Sequence, residues 1–127
     1  MKYPPAQLIA PPGECRELLQ CIFSLNPLEV EVYSILVQEG SLKADEVAKR
    51  INRDRSTAYR CLRHLISCNL CFKKRQFPEM GGHYYIYFAQ APKEVKECLD
   101  ECVDSWHRRI NDTIEEFINK FKVQQRE

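Results

Sequence analysis

The stretch INRDRSTAYRCLRHL, Ile51 to Leu65, decides the fold of this chain. It crowds Arg53, Arg55, Arg60 and Arg63 into a short segment that still keeps a regular apolar face. Asp54 is a favoured N-cap residue, because its carboxylate can accept from first-turn amides, so a helix is expected from about Arg55 to Ser67. At 100° per residue Ala58, Leu62, Leu65 and Ile66 fall on one side of it. Ser56, Arg60, Arg63, His64 and Ser67 fall opposite, with Thr57 and Tyr59 on the borders. Asn52 and Asn69 flank the segment where a left-handed residue is wanted, and asparagine is the best non-glycine choice there. One side of this helix is built to be buried and the other to meet negative charge.

Upstream, Asn26 can cap a helix that has Pro27 at its first position and Glu29 at the capping-box site, and Gly40 ends it. Leu28, Val32, Ile35 and Leu36 form its expected buried stripe. A shorter helix follows from about Ala44 to Ile51, with Val47, Ala48 and Ile51 inward and no side-chain cap at Lys43. Before all of these, prolines 4, 5, 11 and 12 make residues 1–12 irregular, and a first helix is expected over 14–24 with Leu18, Leu19, Ile22 and Phe23 apolar.

Downstream, after Leu70, the period changes. LCFKKRQF and HYYIYFA are β-prone, and PEMGG between them supplies turn residues, so a two-stranded hairpin with a five-residue tip is expected over 70–89. Pro92 opens a last helix running to about Phe121. Val95, Leu99, Cys102, Trp106, Ile110, Thr113, Phe117 and Phe121 form its stripe. Such a helix is about 43 Å long, more than the small core before it can cover. A leftover apolar stripe of this kind pairs with a second copy of itself.

The order helix, helix, turn, helix, basic hairpin is a winged helix-turn-helix pattern. The fold class is therefore mainly α with a small β hairpin. A single domain 1–127 is expected, with an N-terminal helix 14–24, a winged helix-turn-helix 26–90 and a dimerisation helix 92–121. An α-helix fits the DNA major groove, and arginine forks match guanine edges and phosphates. The candidate DNA-binding residues are Lys43, Arg53, Arg55, Ser56, Thr57, Tyr59, Arg60 and Arg63, with Lys73, Lys74 and Arg75 on the hairpin. Candidate dimerisation residues are Leu18, Leu19, Ile22, Leu99, Cys102, Trp106, Ile110 and Phe117.

Charge distribution agrees. The 127 residues carry a net charge of only +1. Residues 41–90 hold ten basic and four acidic side chains, between flanks with an acidic excess. That is the footprint of a polyanion-binding module. With 44% hydrophobic and 29% charged residues, the composition is that of an ordinary globular domain. The start MKYPPAQLIAPPG lacks the apolar run of a signal peptide, and no segment is apolar enough to span a membrane, so a cytoplasmic location is expected.

VAKRINRDRSTAYRCLRHLISCNL, residues 47–70, resembles the helix-turn-helix of the MarR/TrmB superfamily of winged-helix transcription regulators. GGHYYIYFAQAPKEV, residues 81–95, is similar to the second wing strand and the start of the dimerisation helix in archaeal TrmB-like members. The resemblance covers roughly residues 26–121. It departs at Asn52 and Asn69, which replace glycines, at Arg53, where an apolar residue is common, and at Asp54, where serine is common. It implies a dimeric transcriptional regulator that binds double-stranded DNA, with no cofactor, and with a small-molecule effector of unknown identity possible. TrmB proteins carry a sugar-binding domain after the long helix. The chain ends at Glu127, so that activity is not expected to carry over.

Three readings of the seven cysteines stay open. Packing as small hydrophobes leads. Redox sensing, or a four-thiolate site from Cys68, Cys71, Cys98 and Cys102, are the alternatives. No metal is expected. His64, His83 and His107 are scattered and read as exposed or interface residues. An alternative function is a winged-helix module for protein assembly within the transcription machinery, although such a module does not need a basic third helix and hairpin. No nucleophile–base pair, phosphate loop or metalloenzyme motif is present, so an enzyme is not expected.

Overall fold

The computed structural model of the protein describes residues 15–124. Its elements are α1 (Cys15–Phe23), α2 (Pro27–Glu39), β1 (Ser41–Leu42), α3 (Ala44–Ile51), α4 (Arg55–Ser67), β2 (Cys71–Gln76), β3 (Tyr84–Ala89) and α5 (Pro92–Gln124). The irregular stretch expected over 1–12, and Glu14 at the start of the first helix, lie outside the described residues.

Local chemistry sets most boundaries. Asn26 Oδ1 accepts from the Glu29 amide and Glu29 Oε1 accepts from the Asn26 amide, both at 2.8 Å, with Pro27 at the first position of α2. Gly40, at φ +90°, ends the helix and donates its N–H to Leu36. Lys43 contributes no side-chain cap to α3, and instead its amide donates to Glu46 Oε1 at 2.8 Å. Asn52 and Asn69 adopt φ +55° and +61°, the left-handed conformation expected of them.

The core gathers α2, α3, α4, β1 and β3 around Val30, Val32, Leu36, Val47, Leu62, Leu65 and Leu70, all fully buried. The expected stripe on α2 was too narrow. Val30 and Tyr33 are buried as well, and Leu28 and Ile35 pack at the core's edge. A helix covered on several sides buries more than one stripe, so amphipathic period understates its inner residues.

The expected two-stranded hairpin is one part of a three-stranded antiparallel sheet in the order β1-β3-β2. β1 joins it through Ser41 opposite Phe88 and Leu42 opposite Tyr87. Two residues carry no readable period, which is why this strand was not anticipated. The tip is also longer than expected, running over 77–83, with Gly81 donating to the Pro78 carbonyl at 3.1 Å.

α5 has 33 residues, about 50 Å of helix. Val95 enters the core and Leu99 packs against it. Cys102, Trp106 and Ile110 are half-buried, and every side chain from 111 to 122 is exposed. Thr113, expected in the apolar stripe, turns its hydroxyl back to the Arg109 carbonyl at 2.8 Å. Ile114 and Ile118 stand beside Phe117 and Phe121 instead.

Candidate nucleic-acid interface

α4 is held as its sequence requires. Asp54 Oδ1 accepts from the Thr57 amide at 2.9 Å, and Ala58, Cys61, Leu62 and Leu65 are buried. Arg55, Ser56, Tyr59, Arg60 and Arg63 are exposed along the rest of the helix, with Thr57 half-buried and Arg53 exposed just before it. The Thr57 hydroxyl accepts from Arg60 Nη2 at 3.2 Å, which steadies that side chain over the first turn.

His64 does not follow the outward reading. It is half-buried, and its Nδ1 lies 2.6 Å from Glu29 Oε2. Glu29 is itself buried, so its two oxygens join the N-terminus of α2 to the middle of α4. Burial of a carboxylate is costly without such partners.

The hairpin cations separate into two groups. Side chains alternate across a strand, and Lys73, Lys74 and Arg75 stand opposite Tyr87, Ile86 and Tyr85. Cys71 and Tyr87 are buried, so Lys73 and Arg75 share the inner face of the sheet. Lys73 Nζ sits 4.3 Å from the Tyr85 ring centre, and Arg75 Nη2 donates to the Tyr85 hydroxyl at 3.0 Å. That hydrogen bond pulls the Tyr85 phenol below its ordinary range. Lys74 lies on the opposite face, over the stacked rings of Phe72 and Phe88.

Between the first turns of α3 and α4 and strand β3 runs an open cleft of about 350 Å³. Lys43, Asp45, Arg55, Tyr59, Tyr85 and Tyr87 line it. Lys43 Nζ also lies 4.3 Å from the centre of the Tyr84 ring. The fold thus brings Lys43, Arg55 and Tyr59 against the inner face of the wing, and turns Lys74 away from it. Asp45 was not anticipated. It binds Arg55 through two hydrogen bonds, Nε to Oδ1 at 2.5 Å and Nη2 to Oδ2 at 2.8 Å. A similar fork joins Arg50 to Glu39 across α3 and α2. Both are pairings between elements, and nothing in the local sequence marks them.

The surface singled out for dimerisation is continuous in part. Leu18, Leu19, Ile22, Leu99, Cys102, Trp106 and Ile110 are half-buried, and Phe117 is 59% exposed. Leu18, Leu19 and Leu99 line an apolar groove of about 380 Å³ with Tyr33, Val37 and Val95. The cysteines do not assemble as four. Cys68, Cys98 and Cys102 line another cleft, while Cys71 is buried in the core. Cys21, Cys61, Cys68, Cys71, Cys98 and Cys102 are free thiols, and among the described residues no group of three or more histidine, cysteine or acidic side chains is placed to hold a metal ion. Burial raises the Cys61 and Cys68 thiols and pushes Cys71 up to about 12. The thiolate is the reactive form, so Cys71 is expected to escape alkylation at neutral pH in the native protein and to react on unfolding. Mass spectrometry of both samples checks this, and ready labelling of native Cys71 contradicts it.

Among the described residues no helix is long and apolar enough to cross a membrane. Residues 19–93 match the family model described as the sugar-specific transcriptional regulator TrmB. Two uncharacterized proteins of Methanocaldococcus jannaschii are similar along most of their lengths. MJ1082 is 35% identical over 94 residues, which are 74% of this chain and 78% of its own. MJ1503 is 32% identical over 99 residues, 78% of this chain and 75% of its own. A possible transcriptional regulator from Methanosarcina mazei Go1 shares the fold at a TM-score of 0.71 and 22% identity, covering 79% of this chain and 85% of that one. TrmBL2, described as an archaeal chromatin protein with a novel mode of DNA binding, matches at 0.57 and 25% identity. That match covers 87% of this chain and 41% of TrmBL2.

Proposed function

The chain belongs to the TrmB family of transcriptional regulators, and on that premise we propose that it is a homodimer that binds double-stranded DNA sequence-specifically. The observation that carries this reading is the pairing of two surfaces rich in basic side chains. The outer side of α4 offers Arg53, Arg55, Arg60 and Arg63, and the inner face of the wing offers Lys73 and Arg75 beside it. α4 enters the major groove, where Arg60 and Arg63 meet base edges or nearby phosphates, supported by Ser56, Thr57 and Tyr59. Lys73 and Arg75 meet the backbone or the adjacent minor groove, with Lys43 close by.

Two copies pair through α5, with help from α1. The apolar run Ile114, Phe117, Ile118 and Phe121 has no cover within the chain's described residues, and the half-buried Ile110, Leu18, Leu19 and Ile22 extend the apolar surface. Pairing through such helices sets two recognition helices about one turn of DNA apart, roughly 34 Å.

The test is binding against salt on a duplex selected from genomic fragments and on random duplex. Each phosphate contact adds about 0.9 to the salt slope. Replacing Lys73 and Arg75 with alanine is expected to weaken both duplexes alike and flatten the slope by about two units. Lys74→Ala is expected to change it far less, because Lys74 lies on the other face of the sheet. Equal effects from both variants contradict this assignment. Absence of duplex binding by the unaltered chain contradicts the function.

A further inference from the structure

Arg55 and Asp45 form an exposed pair, with 64% and 54% of their side chains open to solvent. Pairs this wet contribute little to stability. A carboxylate on a surface that meets phosphates also repels them, so Asp45 weakens non-specific attraction to DNA. What the fork does offer is a fixed orientation of the Arg55 guanidinium.

A guanidinium is planar and presents two paired donor edges. Asp45 takes one of them, Nε with Nη2. The other edge, formed by Nη1 and the second proton of Nη2, points away from the carboxylate. Among the described residues no other hydrogen bond or ion pair reaches this guanidinium. That edge matches guanine, which presents O6 and N7 as adjacent acceptors in the major groove. Arg55 is the first residue of α4 and lines the cleft facing the wing. Holding a long side chain in one orientation before binding removes an ordering cost at the moment of contact. The other α4 arginines have less: Arg60 makes a single hydrogen bond, to Thr57.

We propose that Arg55 reads the guanine of one G·C pair in each half-site, and that Asp45 is the positioning residue that aims it. This rests on the DNA-binding reading above, and it names the base pair and the residue that sets the preference. Lysine cannot replace such an arginine, since a single ammonium lacks the fork.

The experiment compares the unaltered chain with Asp45→Asn, Arg55→Lys and Arg55→Ala. The probes are a duplex selected from a randomised library, its single-base-pair variants, and a random duplex. In the unaltered chain one G·C pair per half-site is expected to exceed its alternatives by roughly tenfold or more. Arg55→Lys and Asp45→Asn should both erode that preference at the same base pair and at no other. Asp45→Asn should at the same time hold or raise affinity for random duplex, which simple damage to the fold would not do. Thermal unfolding within a few degrees of the unaltered chain completes the expected result. An unchanged preference in Asp45→Asn overturns the positioning role. Equal loss on every sequence in Arg55→Ala makes Arg55 a phosphate contact and overturns the base assignment. If the unaltered chain binds duplex without any G·C preference, this proposal fails while the DNA-binding reading stands. If it binds no duplex, both fail.

Discussion

Replacing Ile114, Phe117 and Phe121 together with serine is expected to turn a dimer into a monomer with the mass of one chain. These side chains are 49%, 59% and 42% exposed in the single chain. Fully burying such a residue is worth about 1.5–3 kcal/mol, so covering the exposed half is worth about 1 kcal/mol. Three positions in two copies then amount to roughly 6 kcal/mol, about four orders of magnitude in dimer dissociation. The fold should survive, because no described side chain from 111 to 122 reaches the core. Sedimentation checks the mass and circular dichroism the fold. The variant should also lose most of its affinity for a two-half-site duplex, since each copy then binds alone. A triple variant that remains a dimer, or an unaltered chain that is monomeric at micromolar concentration, contradicts the pairing through α5.

Glu29→Ala is expected to destabilise the protein by about 2–4 kcal/mol, far beyond an ordinary capping residue. Loss of the cap alone is worth about 1 kcal/mol. The same substitution also takes the acceptor from the Asn26 amide and from the half-buried His64 ring, and a hydrogen bond to a charged group is worth about 1.5–3 kcal/mol. Both partners lie close to Glu29, at 2.8 Å and 2.6 Å. Urea unfolding at constant slope measures the loss. Glu29→Gln should fall between, since an amide has one acceptor oxygen where the carboxylate has two. A loss under about 1 kcal/mol for Glu29→Ala would mean that His64 and Asn26 find other partners or water.

What was readable in the sequence was the part decided by neighbours along the chain. Asp54, Asn52 and Asn69 bracket α4 by their own backbone preferences, and the apolar spacing of Ala58, Leu62 and Leu65 aims it. Asn26, Pro27, Glu29 and Gly40 do the same for α2. What was not readable was decided across the fold. Glu29 and His64 are 35 positions apart, Asp45 and Arg55 ten. Only the packing of the helices brings the members of each pair together. β1 escaped because two residues show no period, and the inner residues of α2 because its neighbours cover more than one side. The separation of Lys74 from Lys73 and Arg75 is a different case. Strand alternation contains it, since Cys71, Lys73 and Arg75 have the same parity, whereas charge alone makes the three cations one patch. In α5, Thr113 fits the spacing of the stripe, and only its hydrogen bond to Arg109 shows that it serves its own helix.

In the sheet order β1-β3-β2, the strand β2 is an outer strand with one side unpaired among the described residues. A six-residue outer strand that ran flat and apolar would be a template for the same strand of another molecule, and charged side chains are a common means by which proteins prevent this. Lys73, Lys74 and Arg75 occupy the middle of β2. The charges that suit it to a polyanion also keep copies from joining edge to edge into aggregates. Lys74, which faces away from α4, serves the second task at least as directly as the first. Neutralising all three is expected to affect both properties together, so any loss of DNA affinity in such a variant is interpretable only once the preparation is shown to be free of aggregates.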